Sequence, residues 1–137
     1  SLCIITPTQM TKRKNIIKAA RLWEALGART IFVGAAKHDK ILSFVSHLPH
    51  LVAFSLVNSI PKEYFKFASS GLRDTTRIAA SGHELWADII LNNRRNTLRA
   101  TEEFQRELTR IKSAIVKKDK RQLVSILKKS QLRRQAL

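Results

Sequence analysis

The feature that most constrains this chain is an uncharged stretch near its middle, residues 41–60, which contains no Asp, Glu, Lys or Arg. Twenty residues are long enough for a helix that crosses a bilayer. The stretch also contains two histidines, a proline, an asparagine and several serines, which make lipid a poor surrounding for it. We therefore favour the buried central helix of a helical domain over a membrane helix. A chain of 137 residues has few other helices to cover such a surface, so the stretch also predicts a two-fold dimer interface.

The residues before this stretch predict a strand, a helix and a second strand. Residues 1–7 form a short apolar run that ends at Thr6-Pro7, which is typical of a buried strand. Residues 11–26 place apolar side chains on one helical stripe, and Gly27 follows where a C-terminal cap is expected. Residues 29–33 are β-branched or aromatic. A β-α-β unit of this size is too small to be stable alone, so we expect it to belong to a larger domain.

The pattern after the uncharged stretch is helical to the end of the chain. Pro61 ends the central helix, and Asp119 is well placed as the N-cap of a last helix. We expect a polar loop at Ser69-Ser70-Gly71 and predict further helices over residues 62–67, about 74–81, 83–93, 97–117 and 120–134.

The charge is strongly basic and lies mostly in the last third of the chain. The sequence has 26 Lys and Arg against 10 Asp and Glu, a net charge of +16. Residues 94–137 hold 14 basic and 4 acidic groups. Phe104 is the one aromatic residue among them, and no zinc-finger or ribonucleoprotein motif occurs, so a solvated helical face is favoured over nucleic-acid binding.

Two absences bound the class of protein. The single cysteine, Cys3, cannot form an internal disulfide or a thiolate metal cage, which is typical of a reducing compartment and predicts a cytoplasmic protein. The sequence has no Gly-x-Gly-x-x-Gly, P-loop, nucleophile elbow or His-Glu-x-x-His motif. We therefore do not expect an enzyme of a standard class that is complete in these residues.

The first candidate site is Ser46-His47-Leu48-Pro49-His50, within the uncharged helix. His47 and His50 are three residues apart and lie near one helix face, while Pro49 removes a backbone donor and frees the carbonyl of Val45. Two imidazoles there could bind an anion, move a proton or ligate a metal. The alternative is a pair of hydrogen-bonded core histidines, but two of them beside a proline favour a functional role.

A metal at this pair would need a third ligand. His38, His83 and Asp74 are candidates, but no further spacing supports them, and we predict no metal site.

The second candidate runs from Gly71 to Arg77, with Trp86 nine residues further on. A loop that ends in an Asp74-Thr75-Thr76 helix start would present hydroxyls and free backbone N–H groups, and the Arg77 guanidinium could hold a carboxylate with two hydrogen bonds. The alternative is an ordinary N-cap with a surface ion pair between Asp74 and Arg77. The residues alone leave both open.

The order of these segments resembles prephenate dehydrogenase and the related arogenate dehydrogenases. The resemblance covers residues 4–93 and is generic beyond residue 97. The segments that carry it are Ile5-Thr6-Pro7-Thr8, Leu22-Trp23, Leu26-Gly27-Ala28, His38-Asp39, Ser46-His47-Leu48-Pro49-His50, Gly71-Leu72-Arg73-Asp74-Thr75-Thr76-Arg77-Ile78-Ala79 and Trp86-Ala87-Asp88-Ile89.

The resemblance implies a two-domain oxidoreductase of tyrosine biosynthesis that decarboxylates prephenate to 4-hydroxyphenylpyruvate with NAD or NADP. Residues 1–35 would close the nucleotide-binding Rossmann domain. Residues 36–137 would form a mainly α, 6-phosphogluconate-dehydrogenase-like domain that binds substrate and forms a homodimer. The rest of the Rossmann domain, with the glycine-rich fingerprint and the catalytic histidine, would lie upstream, so no catalytic residue is expected in these residues. Arogenate dehydrogenase, a non-catalytic helical dimerisation module and a basic nucleic-acid binder are the alternatives.

The resemblance also implies roles for single residues. Arg77 would bind a substrate carboxylate, and His50 would contact the substrate. His47 and Ser46 would line the same pocket, with His47 orienting it. The residues expected to shape the site are Asp74, Trp86, Gly71 and Thr76.

Overall fold

The computed structural model describes residues 1–136, which are mainly α-helical. Strands β1 (Leu2–Ile5) and β2 (Arg29–Phe32) flank helix α1 (Arg13–Ala25). The later helices are α2 (Ala35–Leu42), α3 (Leu48–Ser59), α4 (Ser70–Thr76), α5 (His83–Asn92), α6 (Arg94–Val116) and α7 (Lys120–Gln135). A π turn (Ser43–His47) and two 3-10 turns (Lys62–Phe67 and Arg77–Ala80) complete the order. The chain divides into two compact units, Ser1–Thr97 and the residues from Leu98 on.

The first unit opens with the predicted strand–helix–strand. β1 and β2 pair in parallel from Leu2 opposite Arg29 to Ile5 opposite Phe32, and α1 packs against both strands. Gly27, two residues after the end of the helix, has a φ of +78°. Its N–H donates to the Glu24 carbonyl while the Ala28 N–H donates to that of Trp23, the pair of bonds of a Schellman motif. A left-handed residue is required there, which is why glycine follows the helix.

The uncharged stretch forms one continuous helix from α2 through the π turn into α3. Pro49 explains the wide turn. A proline inside an α-helix lacks the N–H and its ring clashes with the carbonyl four residues earlier, here Val45. Widening the preceding turn relieves that clash, and the Leu48 N–H donates five residues back to the Ser43 carbonyl. The irregularity expected at Pro49 is thus confirmed.

The expectation that this helix is buried is confirmed at only a few positions. Ser43, His47 and Ala53 are buried, and the remaining side chains are half-buried or exposed. Among the described residues, Ala35–Ser59 is also the one helix long and apolar enough to cross a membrane. One chain offers it few partners, because the segments that pack against α3 are the π turn, α4 and the turn Arg77–Ala80.

The structure corrects the sequence prediction around Gly71. Ser70 and Gly71 were expected in a loop with a helix starting near Asp74, but they form the first turn of α4, and Asp74 lies within that helix. The Thr75 and Thr76 hydroxyls donate to the carbonyls of Gly71 and Leu72, four residues back. Short polar side chains can join a helix by bonding back to its own backbone, which the composition of the segment did not reveal.

The second unit consists of most of α6 followed by α7. Its core is small: Ala114 is buried, while Ile111, Leu123 and Ile126 are half-buried. The predicted N-cap is confirmed, since the Asp119 carboxylate accepts a hydrogen bond from the Gln122 N–H at 2.9 Å.

Candidate functional site

His47 is held in a buried polar pocket on the first unit. Its side chain is 6% exposed, and its Nδ1 lies 3.3 Å from the Thr97 hydroxyl and 3.4 Å from the Asn93 amide nitrogen. Thr97 lies in the first turns of α6, and Asn93 joins α5 to α6. The π turn brings His47 to the side of the long helix where these two residues meet.

Burial lowers the pKa of His47 below its ordinary value of 6.5. Loss of hydration disfavours the imidazolium and is the largest cause. The Asp39 carboxylate opposes the shift, whereas His38 and His50 add to it. His47 is therefore a neutral imidazole at pH 7.

His50 is half-buried and has a different set of partners. Its ring stacks on Trp86, with centroids 3.4 Å apart and planes inclined by 20°. Its Nδ1 lies 3.0 Å from the Ser46 carbonyl oxygen, which can only accept a hydrogen bond, so Nδ1 carries a proton. This leaves Nε2 of His50 as the ring nitrogen available to a ligand.

Trp86 contacts both histidines and so connects them. It stacks on His50 and meets His47 edge to face, with ring centroids 6.3 Å apart and planes at 79°. The side chain comes from α5, one turn after its first residue, His83. The structure thus brings together His47, His50 and Trp86, three of the residues expected in the site, with the backbone of Ser46.

Arg77 begins the 3-10 turn that packs against α3, the helix that carries His50. Its side chain is exposed and has no hydrogen bond or ion pair within residues 1–136. In particular, no ion pair joins it to Asp74, which is exposed on α4, so the surface pair given as the alternative is absent from the described residues. Arg77 is a free guanidinium at the edge of the helix pair α3 and α4.

In the described residues, Gly71 and Thr76 form no hydrogen bond with His47 or His50. Gly71 is an exposed residue of α4, and Thr76 donates its hydroxyl to that helix's own backbone. The helix start expected at Asp74-Thr75-Thr76 is wrong, because this segment ends α4 and does not begin it.

Asn93 and Thr97 were not found from the sequence. They lie 46 and 50 residues from His47, and neither belongs to a motif. The one signal was the position of Asn93 at the junction of two predicted helices, where Asn is common as a cap.

The described residues contain neither a cluster of metal ligands nor a glycine-rich turn after β1. No group of three His, Cys, Asp or Glu side chains in residues 1–136 could hold a metal ion. The β1–α1 loop, residues 6–12, contains no glycine, so its backbone cannot approach a dinucleotide pyrophosphate as a glycine-rich turn does.

The family model and the most similar curated proteins point to the same family. The family model described as "Prephenate dehydrogenase, dimerization domain" matches residues 34–129. A cyclohexadienyl dehydrogenase of Zymomonas mobilis is 33% identical, with 98% of this chain and 48% of that protein covered. A prephenate dehydrogenase of Bacillus subtilis is 32% identical, with 91% of this chain and 35% of that protein covered.

Solved structures agree in fold. The crystal structure of prephenate dehydrogenase from A. aeolicus, in complex with hydroxyphenyl propionate and NAD+, has a TM-score of 0.90 at 36% identity, covering 98% of this chain and 49% of that one. Synechocystis arogenate dehydrogenase has a TM-score of 0.83 at 24% identity and covers 97% of this chain and 51% of that one.

The chain has a mainly helical fold after a parallel strand pair, and two of its histidines contact one tryptophan. The family model matches most of the chain. This chain belongs to the prephenate dehydrogenase family. It spans half or less of the length of the curated relatives to which it is similar.

Proposed function

We propose that this chain is the substrate-binding and dimerising part of a prephenate dehydrogenase. That enzyme is an NAD(P)-dependent oxidoreductase that converts prephenate to 4-hydroxyphenylpyruvate in tyrosine biosynthesis. The relatives above 30% identity are named as prephenate or cyclohexadienyl dehydrogenases. NAD is supported as the cofactor by the A. aeolicus structure, which was solved with NAD+ and hydroxyphenyl propionate.

The observation that carries the proposal is the stack of His50 on Trp86. The bond from Nδ1 to the Ser46 carbonyl and the 3.4 Å stack fix the ring in place, so Nε2 has a defined direction. A nitrogen held in this way can donate to a carboxylate when protonated or accept from a hydroxyl when neutral. Prephenate offers both groups on one ring.

Arg77 supplies the complementary charge in this proposal. Prephenate carries two carboxylates, and a guanidinium without an internal partner can bind one of them with two parallel hydrogen bonds. The Arg77 turn packs against α3, so the arginine lies on an element that neighbours the helix carrying His50. His47 and Ser46 support the His50 side of the pocket, while Asp74, Gly71 and Thr76 shape α4 beneath the arginine.

We further propose that residues 1–35 close a Rossmann domain and that residues 36–137 form the helical substrate domain. The described residues offer no pyrophosphate-binding turn, so hydride transfer would depend on nucleotide-binding residues outside them. The parallel pair β1–β2 has a free edge on each strand, which suits continuation of a parallel sheet. In this scheme the chain's own residues bind and orient the substrate.

The alternatives have weaker support. Arogenate dehydrogenase is represented by a structure at 24% identity, which supports the fold alone. Nucleic-acid binding would rest on the basic charge, but the six Lys and Arg of α7 are spread around the helix and form no single face. We also place the protein in the cytoplasm and not in a bilayer, as its biosynthetic relatives suggest.

Isothermal titration of the chain with prephenate tests this function. We expect the parent chain to bind and Arg77→Ala to weaken binding roughly 10- to 100-fold, because the lost bonds are charge-assisted. Arg73→Ala is the matched control, since Arg73 is also an exposed arginine and lies on α4, one turn earlier. The control should bind prephenate as the parent does.

Three results would count against the proposal. Equal losses in the two arginine variants would indicate a general charge effect. No binding of prephenate by the folded chain, alone or with a nucleotide-binding domain added, would favour a non-catalytic dimerisation module. Binding of nucleic acid that falls steeply with salt, with no affinity for prephenate, would favour a basic nucleic-acid binder.

A further inference from the structure

The orientation of the Asn93 side chain is fixed by two contacts that do not involve His47. Its Nδ2 donates to the Asp39 carbonyl at 2.7 Å, and its Oδ1 accepts from Asn96 Nδ2 at 2.8 Å. A carbonyl oxygen can only accept, so the amide nitrogen and not the amide oxygen must face Asp39. The hydrogen bond from Asn96 holds the amide oxygen of Asn93 on the side away from Asp39, which agrees with this orientation.

This orientation turns an amide N–H toward His47. Asn93 Nδ2 lies 3.4 Å from His47 Nδ1, and an amide nitrogen can only donate. Nδ1 must then act as the acceptor and carry no proton, and a neutral imidazole with a bare Nδ1 has its proton on Nε2. The Thr97 hydroxyl, 3.3 Å from the same nitrogen, can also donate to it.

The surroundings of His47 agree with a neutral ring. The side chain is buried, and the titratable groups that act on it are Asp39, His38 and His50, of which Asp39 alone favours the charged form. Trp86 meets the ring edge to face and stacks on His50. The position of the Trp86 indole is thus limited by contacts with both histidine rings.

We propose that Asn93 is a positioning residue that holds His47 as the neutral, Nε2-protonated imidazole and thereby keeps Trp86 and His50 stacked with Nε2 of His50 toward the ligand. The contact with the ligand rests on the proposed function. The tautomer of His47 does not.

The test is the ¹⁵N side-chain NMR spectrum of the histidines in the whole chain at pH 7. In the parent chain, we expect His47 to show an unprotonated Nδ1 and a protonated Nε2. Asn93→Asp keeps the shape of the side chain but replaces the donor with an acceptor, so His47 should gain a proton on Nδ1. Asn92→Asp, an exposed neighbour with the same change of charge, should leave the His47 spectrum unchanged.

Asn93→Ala provides a second variant if the aspartate variant does not fold, as judged by circular dichroism. It removes the donor without adding charge, so both His47 tautomers should be seen. A parent spectrum with a protonated Nδ1 on His47, or a variant spectrum identical to the parent's, would overturn the proposal.

Titration with prephenate provides the second readout. We expect Asn93→Asp to weaken binding roughly tenfold, the scale of one lost hydrogen bond, and Asn92→Asp to bind as the parent does. A changed tautomer with unchanged affinity would overturn the positioning role. If the parent itself binds no prephenate, the proposed function fails, while the expected change of tautomer would still support the link from Asn93 to His47.

Discussion

His47 and His50 lie three residues apart on one helix and share Trp86 as a neighbour, yet their environments are opposite in kind. His47 is buried among Thr97, Asn93 and Trp86, whereas His50 is half-buried with one ring nitrogen bonded to the backbone. Environments that differ in this way give two chemically identical groups separate roles. In the proposed function, His47 supports the site, and Nε2 of His50 is the ring nitrogen that contacts the ligand.

The lowered pKa of His47 predicts that stability decreases in mild acid. The unfolded chain takes up a proton near pH 6.5, but the folded chain resists it, so the unfolded state binds more protons between pH 6.5 and the lowered folded pKa. The free energy of unfolding should therefore be undiminished above pH 6.5 and fall through that window as pH decreases. For one proton the slope is at most about 1.4 kcal/mol per pH unit.

Urea unfolding at a series of pH values between 5 and 8, followed by circular dichroism, measures this slope. His47→Gln should reduce the slope of the unfolding free energy against pH, because glutamine does not titrate. His83→Gln is the matched control, since His83 is exposed at the start of α5, and its slope should equal the parent's. A parent slope that persists in His47→Gln would assign the pH dependence to another group.

Sequence patterns identify the parts of this site that are local and miss those that are not. His47, Pro49 and His50 are adjacent in the chain, so their spacing alone predicts a shared face and a helix irregularity. Asn93 reaches His47 only because α5 and α6 meet beside the π turn. The periodicity of the sequence does not show which helices contact each other, so this contact could not be predicted. An asparagine between two helices is ordinarily interpreted as a cap.

At the scale of elements, two helices end in the same motif with different residues. At the end of α6, the Asp119 N–H donates to the Ala114 carbonyl and the Lys118 N–H to that of Ile115, as in the Schellman motif after α1. The left-handed position is Gly27 in the first case and Lys118, with φ of +51°, in the second. A lysine there carries a steric cost that glycine avoids.

Lys118→Gly should therefore stabilise the chain by about 0.5–1 kcal/mol. The left-handed conformation costs a non-glycine residue roughly 1–2 kcal/mol, and the greater flexibility of glycine in the unfolded chain offsets part of the gain. Urea unfolding of the chain measures the difference. Lys117→Gly is the control one residue earlier, without a positive φ, and should destabilise by a similar amount. A loss of stability in Lys118→Gly would contradict the strain assigned to this residue.

Most elements have a clear period or punctuation and were predictable, whereas the start of α4 was not. Both strands and α1 with its terminal Gly27 follow the sequence closely, as do α5 and the last two helices, α6 and α7, with Asp119 as the N-cap of α7. The start of α4 was missed because Ser70 and Gly71 have low helix propensity, which packing of α4 against α3 outweighs.

At the scale of the whole molecule, one chain leaves many large apolar side chains in water. On α6, Phe104 is 36% exposed, Leu108 52% and Ile115 59%. Together with Thr101 and Ile111 they recur at alternating spacings of three and four residues, the pattern of a helix that packs along another helix. The family's description as a dimerization domain supports a second copy of this chain as the partner.

We expect the chain to sediment as a dimer and Leu108→Glu to shift it toward monomer. Burying a carboxylate in an apolar interface is costly, so the association should weaken at least tenfold, while the exposed position should tolerate the change within the monomer. Gln105→Glu, exposed on the same helix, is the matched control and should stay dimeric. Analytical ultracentrifugation over a range of concentrations measures the three dissociation constants.

A monomeric parent chain would contradict the dimer. A Leu108→Glu variant that associates as tightly as the parent would place the interface on another surface, such as the exposed side of α3.

The π turn also preserves rotational phase along the longest apolar helix. Each residue advances an α-helix by about 100°, and a π turn holds one residue more than an α-turn. The wider turn absorbs this extra residue, so the helices on its two sides keep the same rotational phase. A homologue that lost one residue between Ser43 and His47 would close the wide turn to an α-turn and keep the face that bears its second histidine toward the tryptophan. A single-residue gap in this window would thus mark the loss of the wide turn and not the loss of the His50–Trp86 stack.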